Sequence, residues 1–265
     1  MNANNTILID VSGPVATLTL HREEVRNAMN IRMIRELSRA FKDLNENREI
    51  RIILLRAEGQ DFSAGADLKW MREGLEQSRE QLVAESRELA GLFGIIQHAE
   101  HVVVASVRGR VMGGANGLIA ASDIVVVEET ARFAFSEVKL GLIPATIAPF
   151  VLRKTGYSRA RELMLTGRLF HAKEAVEIGL AHVICSEGEL QEKTEELIRG
   201  LLSNGPQAMQ GVRSLLDKLV RPDIPDQLQD DTAELIARYR TSEEGQEGIR
   251  AFFEKRKPGW HETDQ

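Results

Sequence analysis

Three stretches of this chain carry residue types whose spacing suits chemistry. In "DFSAGADLKWM" (61–71), small residues from Ser63 to Ala66 stand between a strand with its loop and a helix beginning near Asp67. In "MGGANGLIAAS" (112–122), the pair Gly113-Gly114 stands between a strand and a short helix of small residues. The first N–H groups of a helix have no intrahelical acceptor and carry the positive end of its dipole. Two such starts converging on one oxygen are the recipe for an oxyanion hole. The third stretch, "FAFSEVKLGLIP" (133–144), puts Glu137 after a strand among apolar neighbours. A desolvated carboxyl there has a raised pKa and suits acid/base work. Each stretch also has a plainer interpretation, open on these residues alone. The glycines would serve tight packing, and Glu137 would pair with Lys139 or Arg132 on the surface.

No other constellation competes. The chain has no G-x-S-x-G elbow, P-loop, G-x-G-x-x-G or H-E-x-x-H. His98 and His101 lie three apart without a suitably spaced carboxylate, so no metal site is expected. The single cysteine, Cys185, excludes an intramolecular disulfide and suits a reducing cytoplasm. A net charge of -6 argues against nucleic acid as a partner. No apolar run approaches about 18 residues, and the polar N-terminus does not read as a signal peptide, so a cytoplasmic protein with no membrane partner is expected.

The elements that must position these stretches alternate between strand and helix. Residues 6–20 predict a hairpin turning at Ser12-Gly13-Pro14. Asn30 predicts the cap of a helix with apolar positions Ile31, Ile34, Leu37, Phe41 and Leu44. Strands are expected at 50–57, 102–107, 123–129 and 132–135, and a helix at 78–97 with a Ser78–Gln81 capping box. Beyond Ala145 helices dominate, with one short strand at 182–184 and final helices near 205–220, 226–240 and 242–257. This is an α/β protein with a helical C-terminal appendage.

Taken together, "VATLTLHREEVRNAMN" (15–30), "FSAGADL" (62–68), "GGANGLIAASDIVV" (113–126), "FSEVKLGLIP" (135–144) and "AFFEKRKPGW" (251–260) resemble the crotonase superfamily, the enoyl-CoA hydratases and isomerases. The resemblance implies a ββα spiral core over residues 1–200 and a C-terminal helical trimerisation region over 201–265, in a homotrimer or dimer of trimers. It implies an acyl-CoA substrate, with coenzyme A as part of the thioester and no separate cofactor. The thioester oxygen would be held by the amides of Ala66 and Gly114. The coenzyme would lie against Val25, Arg26 and Ala28, against Ala64, Ala66, Asp67 and Leu68, and against Phe252 and Lys255.

One departure is informative. Of the two catalytic glutamates of typical hydratases, one matches Glu137 and the other falls on Gly117. Glycine at 117 with "GADLKWM" and "SEVKLGLIPATIAPFVLRKTG" (136–156) looks most like hydratases of 3-branched glutaconyl-CoA thioesters, with methylglutaconyl or isohexenylglutaconyl chains. The expected chemistry is water addition with a single glutamate as acid and base. The alternatives are a Δ3,Δ2-enoyl-CoA isomerase or a non-catalytic CoA- or RNA-binding protein. Lys69, Arg72 and Lys139 are candidates to hold a distal carboxylate. Trp70, Met71, Leu75 and the segment 143–150 are candidates to line an apolar acyl pocket.

Overall fold

The computed structural model describes residues 5–219, 226–256 and 258. Lys257, Gly259 and Trp260 of the last resembling stretch, with the expected helical residues 220 and 257, lie outside them.

The chain opens with the expected hairpin, β1 (Ile7–Ser12) and β2 (Val15–Leu20), closed by Ser12 opposite Val15. Next come α1 (Ile31–Glu46), β3 (Ile52–Ala57), α2 (Leu68–Glu73), α3 (Arg79–Gln97), β4 (Val102–Val107), β5 (Arg110–Met112) and α4 (Asn116–Ala121). They are followed by β6 (Ile124–Glu128), β7 (Arg132–Ala134), α5 (Ala148–Thr166), β8 (Phe170–His171), α6 (Ala172–Glu177) and β9 (Val183–Cys185). The chain continues through α7 (Leu190–Leu202), α8 (Pro206–Leu219), α9 (Asp226–Arg240) and α10 (Glu243–Phe253).

Six strands form one sheet in the order β1-β2-β3-β4-β6-β9, parallel from β2 onward. After short loops β4 and β6 continue as β5 and β7, which pair in a second sheet with β8. Repetition of strand, short strand and helix makes the spiral. Both faces of the main sheet are covered, which is why β4 is buried along its whole length and its sequence shows no alternation. One core, including Leu37, Phe41, Phe93, Leu118 and Phe133, fills one side; Ile52, Val104, Val126 and Ile198 fill the other.

Local signals hold at several boundaries. Asn30 accepts from the Met33 amide, and Ser78 and Gln81 close a reciprocal capping box. Asp67 caps α2 by accepting from the Lys69 and Trp70 amides. Other features depart from expectation. β5 and β8, three and two residues long, are too short for a period-two pattern to show. The stretch 148–166 is two helices meeting at Gly156, where φ is 72°. The final helix stops at Phe253 rather than near 257, because the Lys255 and Arg256 amides turn back to the Phe252 and Ala251 carbonyls, with Lys255 left-handed at φ 53°.

The C-terminal helices are fitted to the core. Residue 200 falls inside α7, which packs on β4 and β6; α9 lies along α3, and α10 lies on the turn that carries Glu137.

Candidate active site

Segment 63–67 is gripped from both edges. The Ser63 N–H donates to the Arg110 carbonyl at 2.9 Å, and the Met112 N–H donates to the Ser63 carbonyl at 3.1 Å. On the other edge, the Ala64 N–H donates to Arg26 at 2.9 Å, the Met29 N–H to Gly65 at 2.7 Å and the Asp67 N–H to Met29 at 2.8 Å. Ala66 is thereby bridged in parallel to Met29. In a parallel bridge the bonds come from the residues flanking the paired one, so the Ala66 N–H faces away from Met29. Its freedom comes from strand alternation, one residue before the helix cap rather than in the first turn.

The second amide lies close by. Gly65 has φ 91°, and a methyl placed on it would lie 2.7 Å from the Met112 carbonyl oxygen. Only glycine permits this approach of backbone to backbone. Gly113, with φ 50°, then swings the chain out of β5 into a single 3-10 turn, Gly113–Ala115, that leads into α4. No backbone acceptor for the Ala66 or Gly114 N–H is found among the described residues. Asn116, fully buried, fastens the turn. Its Nδ2 donates to the carbonyls of Val111 at 3.2 Å, Gly113 at 3.0 Å and Ala134 at 3.1 Å, which ties the glycine pair to β5 and β7 at once. Sequence reasoning missed Asn116; the available signal was a single amide side chain between a glycine pair and a run of small apolar residues.

Glu137 sits in the 3-10 turn Ser136–Leu140 that follows β7. A methyl on Gly113 would lie 3.3 Å from its Oε1 and 3.7 Å from its Cδ, so the carboxyl rests against the Gly113-Gly114 corner. Oε2 is buried with no hydrogen-bond partner. Neither Lys139 nor Arg132 pairs with it among the described residues, which overturns the surface-pair interpretation. Burial pushes the carboxyl up to about 7, with only a backbone N–H opposing. At neutral pH both protonation states are populated, as a group that takes and returns a proton requires.

Gly117 has a packing reason to be glycine. A methyl there would lie 2.5 Å from Phe93 Cζ and 2.7 Å from Ile147 Cγ2. Both neighbours are buried, at 0% and 1% exposure. The position where the resemblance places a second carboxylate is therefore an apolar wall.

The remaining predicted residues divide by location. The Arg26 carbonyl takes the Ala64 N–H and Met29 bridges Ala66, which sets the 25–29 segment beside 64–66, with Leu68 half exposed at its end. The Asp67 carboxylate is committed: besides capping α2 it pairs with Arg22 at 2.8 Å. Burial raises its pKa, but Arg22 and the two amides outweigh that and hold it below the ordinary value. Phe252 and Lys255 are exposed at the end of α10, beside Phe253, which lies under the Arg72 guanidinium at 4.4 Å. Arg72 is thus engaged, exposed Lys69 faces Glu73 at 3.9 Å, and Lys139 is exposed. Trp70, Ile147 and Phe150 are buried, and Met71 and Leu75 half-buried. An open cleft of ≈ 590 Å³ lined by Arg108, Arg110, Glu128 and Arg132 lies at the corner between the two sheets and contains none of these residues.

A strand-and-helix spiral that sets a buried, unpaired carboxyl against two free backbone amides defines a crotonase-type protein. The chain belongs to the enoyl-CoA hydratase/isomerase family, whose sequence profile matches residues 10–263. A crystal structure of an enoyl-CoA hydratase from Shewanella pealeana is 43% identical, covers 96% of each chain and superposes with a TM-score of 0.79. An enoyl-CoA hydratase from Mycobacterium avium is 31% identical over 98% of this chain and 100% of its own, with a TM-score of 0.86. The trans-2-decenoyl-[acyl-carrier-protein] isomerase of Streptococcus mutans is 29% identical over 95% of this chain and 96% of its own. Hydratase and isomerase names thus both occur among its relatives.

Proposed function

We propose that this chain hydrates a 3-branched glutaconyl-CoA, with Glu137 as the only acid/base group. The observation that carries the proposal is the pairing of an unpartnered carboxyl, Glu137, with an apolar wall where a second carboxylate would stand. The coenzyme lies along Val25, Arg26, Ala28, Ala64, Ala66, Asp67 and Leu68, touching Asp67 through its backbone, and reaches Phe252 and Lys255. The Ala66 and Gly114 amides take the thioester oxygen. Ionised Glu137 removes a proton from water as the hydroxide bonds to the β-carbon. The π pair moves onto the thioester oxygen, and the enolate is held by the two amides. Glu137, now protonated, returns the proton to the α-carbon. A β-carbon bearing two carbon substituents tolerates positive charge well, so one carboxylate suffices to activate the water. The acyl-CoA is the only other partner in this scheme apart from further copies of the chain. Exposed Val212, Leu215 and Leu216 on α8 supply an apolar surface for a trimer or dimer of trimers.

The isomerase reading is the second, favoured by the same single carboxylate. Glu137 would take a proton from one carbon and return it two carbons away. Reaction in ¹⁸O-labelled water separates the two. Hydration puts label into a 3-hydroxy product, whereas label-free product with a shifted double bond refutes the hydratase. Glu137→Gln is expected to lose about 10²–10⁴ in kcat.

A further inference from the structure

We infer that Arg240 receives a terminal carboxylate on the acyl chain, so that the site selects dicarboxylic acyl thioesters over their neutral isosteres. The inference rests on the thioester reading of the Ala66, Gly114 and Glu137 site.

Arg240 is the last residue of α9, and its backbone is fixed by Gln246, whose Nε2 donates to its carbonyl at 2.7 Å. The turn that carries it is wedged between the two halves of the site. On one side, methyls placed on Gly141 and Gly245 would lie 2.8 Å from the Glu244 carbonyl oxygen and 3.2 Å from Leu142 Cδ2, so the start of α10 sits directly on the Glu137 turn. On the other side, the guanidinium lies 5.8 Å from the Trp70 ring and presses on Gly74 at the end of α2. Helix α2 begins two residues after Ala66, and Trp70 lies two residues, ~3 Å, further along its axis. The cation therefore stands between the segment that follows the oxyanion amide and the segment that holds the acid.

No described side chain takes its donors. Among the described residues no carboxylate pairs with Arg240, and its guanidinium donates no hydrogen bond. Glu85 is the nearest source of negative charge, but both its oxygens are committed, one to Trp70 Nε1 at 2.7 Å and the other to Gln77 Nε2 at 3.0 Å. The carbonyls of Trp70 and Arg72 at the end of α2 already accept from the Gly74 amide. Burial holds the Arg240 pKa below the ordinary arginine value. The side chain is half-buried, so its donors stay accessible to a ligand, and a guanidinium offers a planar fork of donors matched to a carboxylate. Lys69 and Arg72 are exposed or already engaged, which leaves Arg240 as the half-buried cation without an ion pair at this end of the site.

The test is calorimetric titration of the full-length protein with glutaryl-CoA and valeryl-CoA. The two differ only in a terminal carboxylate against a methyl, and both are saturated, so no turnover intervenes. Wild type is expected to bind glutaryl-CoA at least about 10-fold more tightly, and Arg240→Met to abolish that preference. Arg240→Lys keeps the charge but loses the fork and should show a preference reduced several-fold. This variant decides the matter if Arg240→Met does not fold. The inference is overturned if wild type shows no preference, or if the preference survives either substitution undiminished. Binding of neither thioester refutes the underlying thioester site. Selective binding through Arg240 without water addition to any enoyl-CoA refutes only the hydratase reading.

Discussion

Gly117→Ala tests whether packing, rather than chance, keeps the second carboxylate out. The added methyl would lie 2.5 and 2.7 Å from two atoms of the Phe93 ring and 2.7 Å from Ile147 Cγ2, and neither residue has solvent to move into. Forcing extra carbon into a filled core costs about 1–3 kcal/mol, against about 0.5–1 kcal/mol gained by replacing a helical glycine with alanine. At the middle of those ranges the net is a loss of about 1 kcal/mol. For a chain of this size that lowers Tm by about 2–4 °C. Gly91→Ala is the control. It lies in α3, nothing stands within 4 Å of its added methyl, and Tm should rise by about 1–4 °C. The assay is thermal melting by circular dichroism at one fixed protein concentration, because assembly shifts Tm by mass action. Gly117→Glu should be worse than Gly117→Ala, and Phe93→Ala in the same chain should recover part of the loss. That coupling should be about 1 kcal/mol or more in a double-mutant cycle. A Gly117→Ala protein as stable as wild type, beside a Gly91→Ala protein that gains stability, would refute the reasoning.

Three further outcomes are expected. Burial raises the Glu137 pKa to about 7 in the folded chain, against an ordinary value of 4.5. Its folding contribution is therefore intact below about pH 4.5 and is lost as pH rises through 7. Glu137→Gln should match wild type near pH 4 and exceed it at pH 8 by up to about 3 kcal/mol, an upper bound for a half-buried residue, measured by urea unfolding across pH. Gly65→Ala should strain the backbone and push Met112 away from Ala66. Steady-state kinetics should then show kcat/KM down by at least about 10², as for loss of one oxyanion donor. Asn116→Ala should cost about 2–4 kcal/mol by taking the side-chain donor from three carbonyls, of which only Gly113's keeps the backbone N–H of residue 116, and Asn116→Asp should be worse because it sets an acceptor against them; chemical denaturation reads both.

Much of the fold was legible because its signals are local. The hairpin, the Asn30 and Ser78 caps and the parallel strands each announce themselves within a few residues of sequence. The strands β5 and β8 did not, since two or three residues cannot display a period. Yet β5 delivers Gly113, and the register of Ser63 with Val111 sets Gly65 against Met112. The site residues were found as three separate stretches, and the reason each matters became visible only in contact. A helix start predicts the free amide of Ala66, and a bridge with Met29 supplies it.

The sequence by itself determined that this is an α/β chain of the enoyl-CoA hydratase/isomerase family, with Glu137 and Gly117 at the two positions where the resemblance places carboxylates. Those are facts of residue type and order. Only the tertiary structure decided what fills the missing position and which cation stands unpaired. Phe93 and Ile147 close on Gly117 from 24 residues before it and 30 after, and Arg240 reaches Trp70 across 170. No local pattern encodes such contacts. They follow from how α3, α5 and α9 pack around the spiral, where close packing leaves a given volume to one side chain and excludes another.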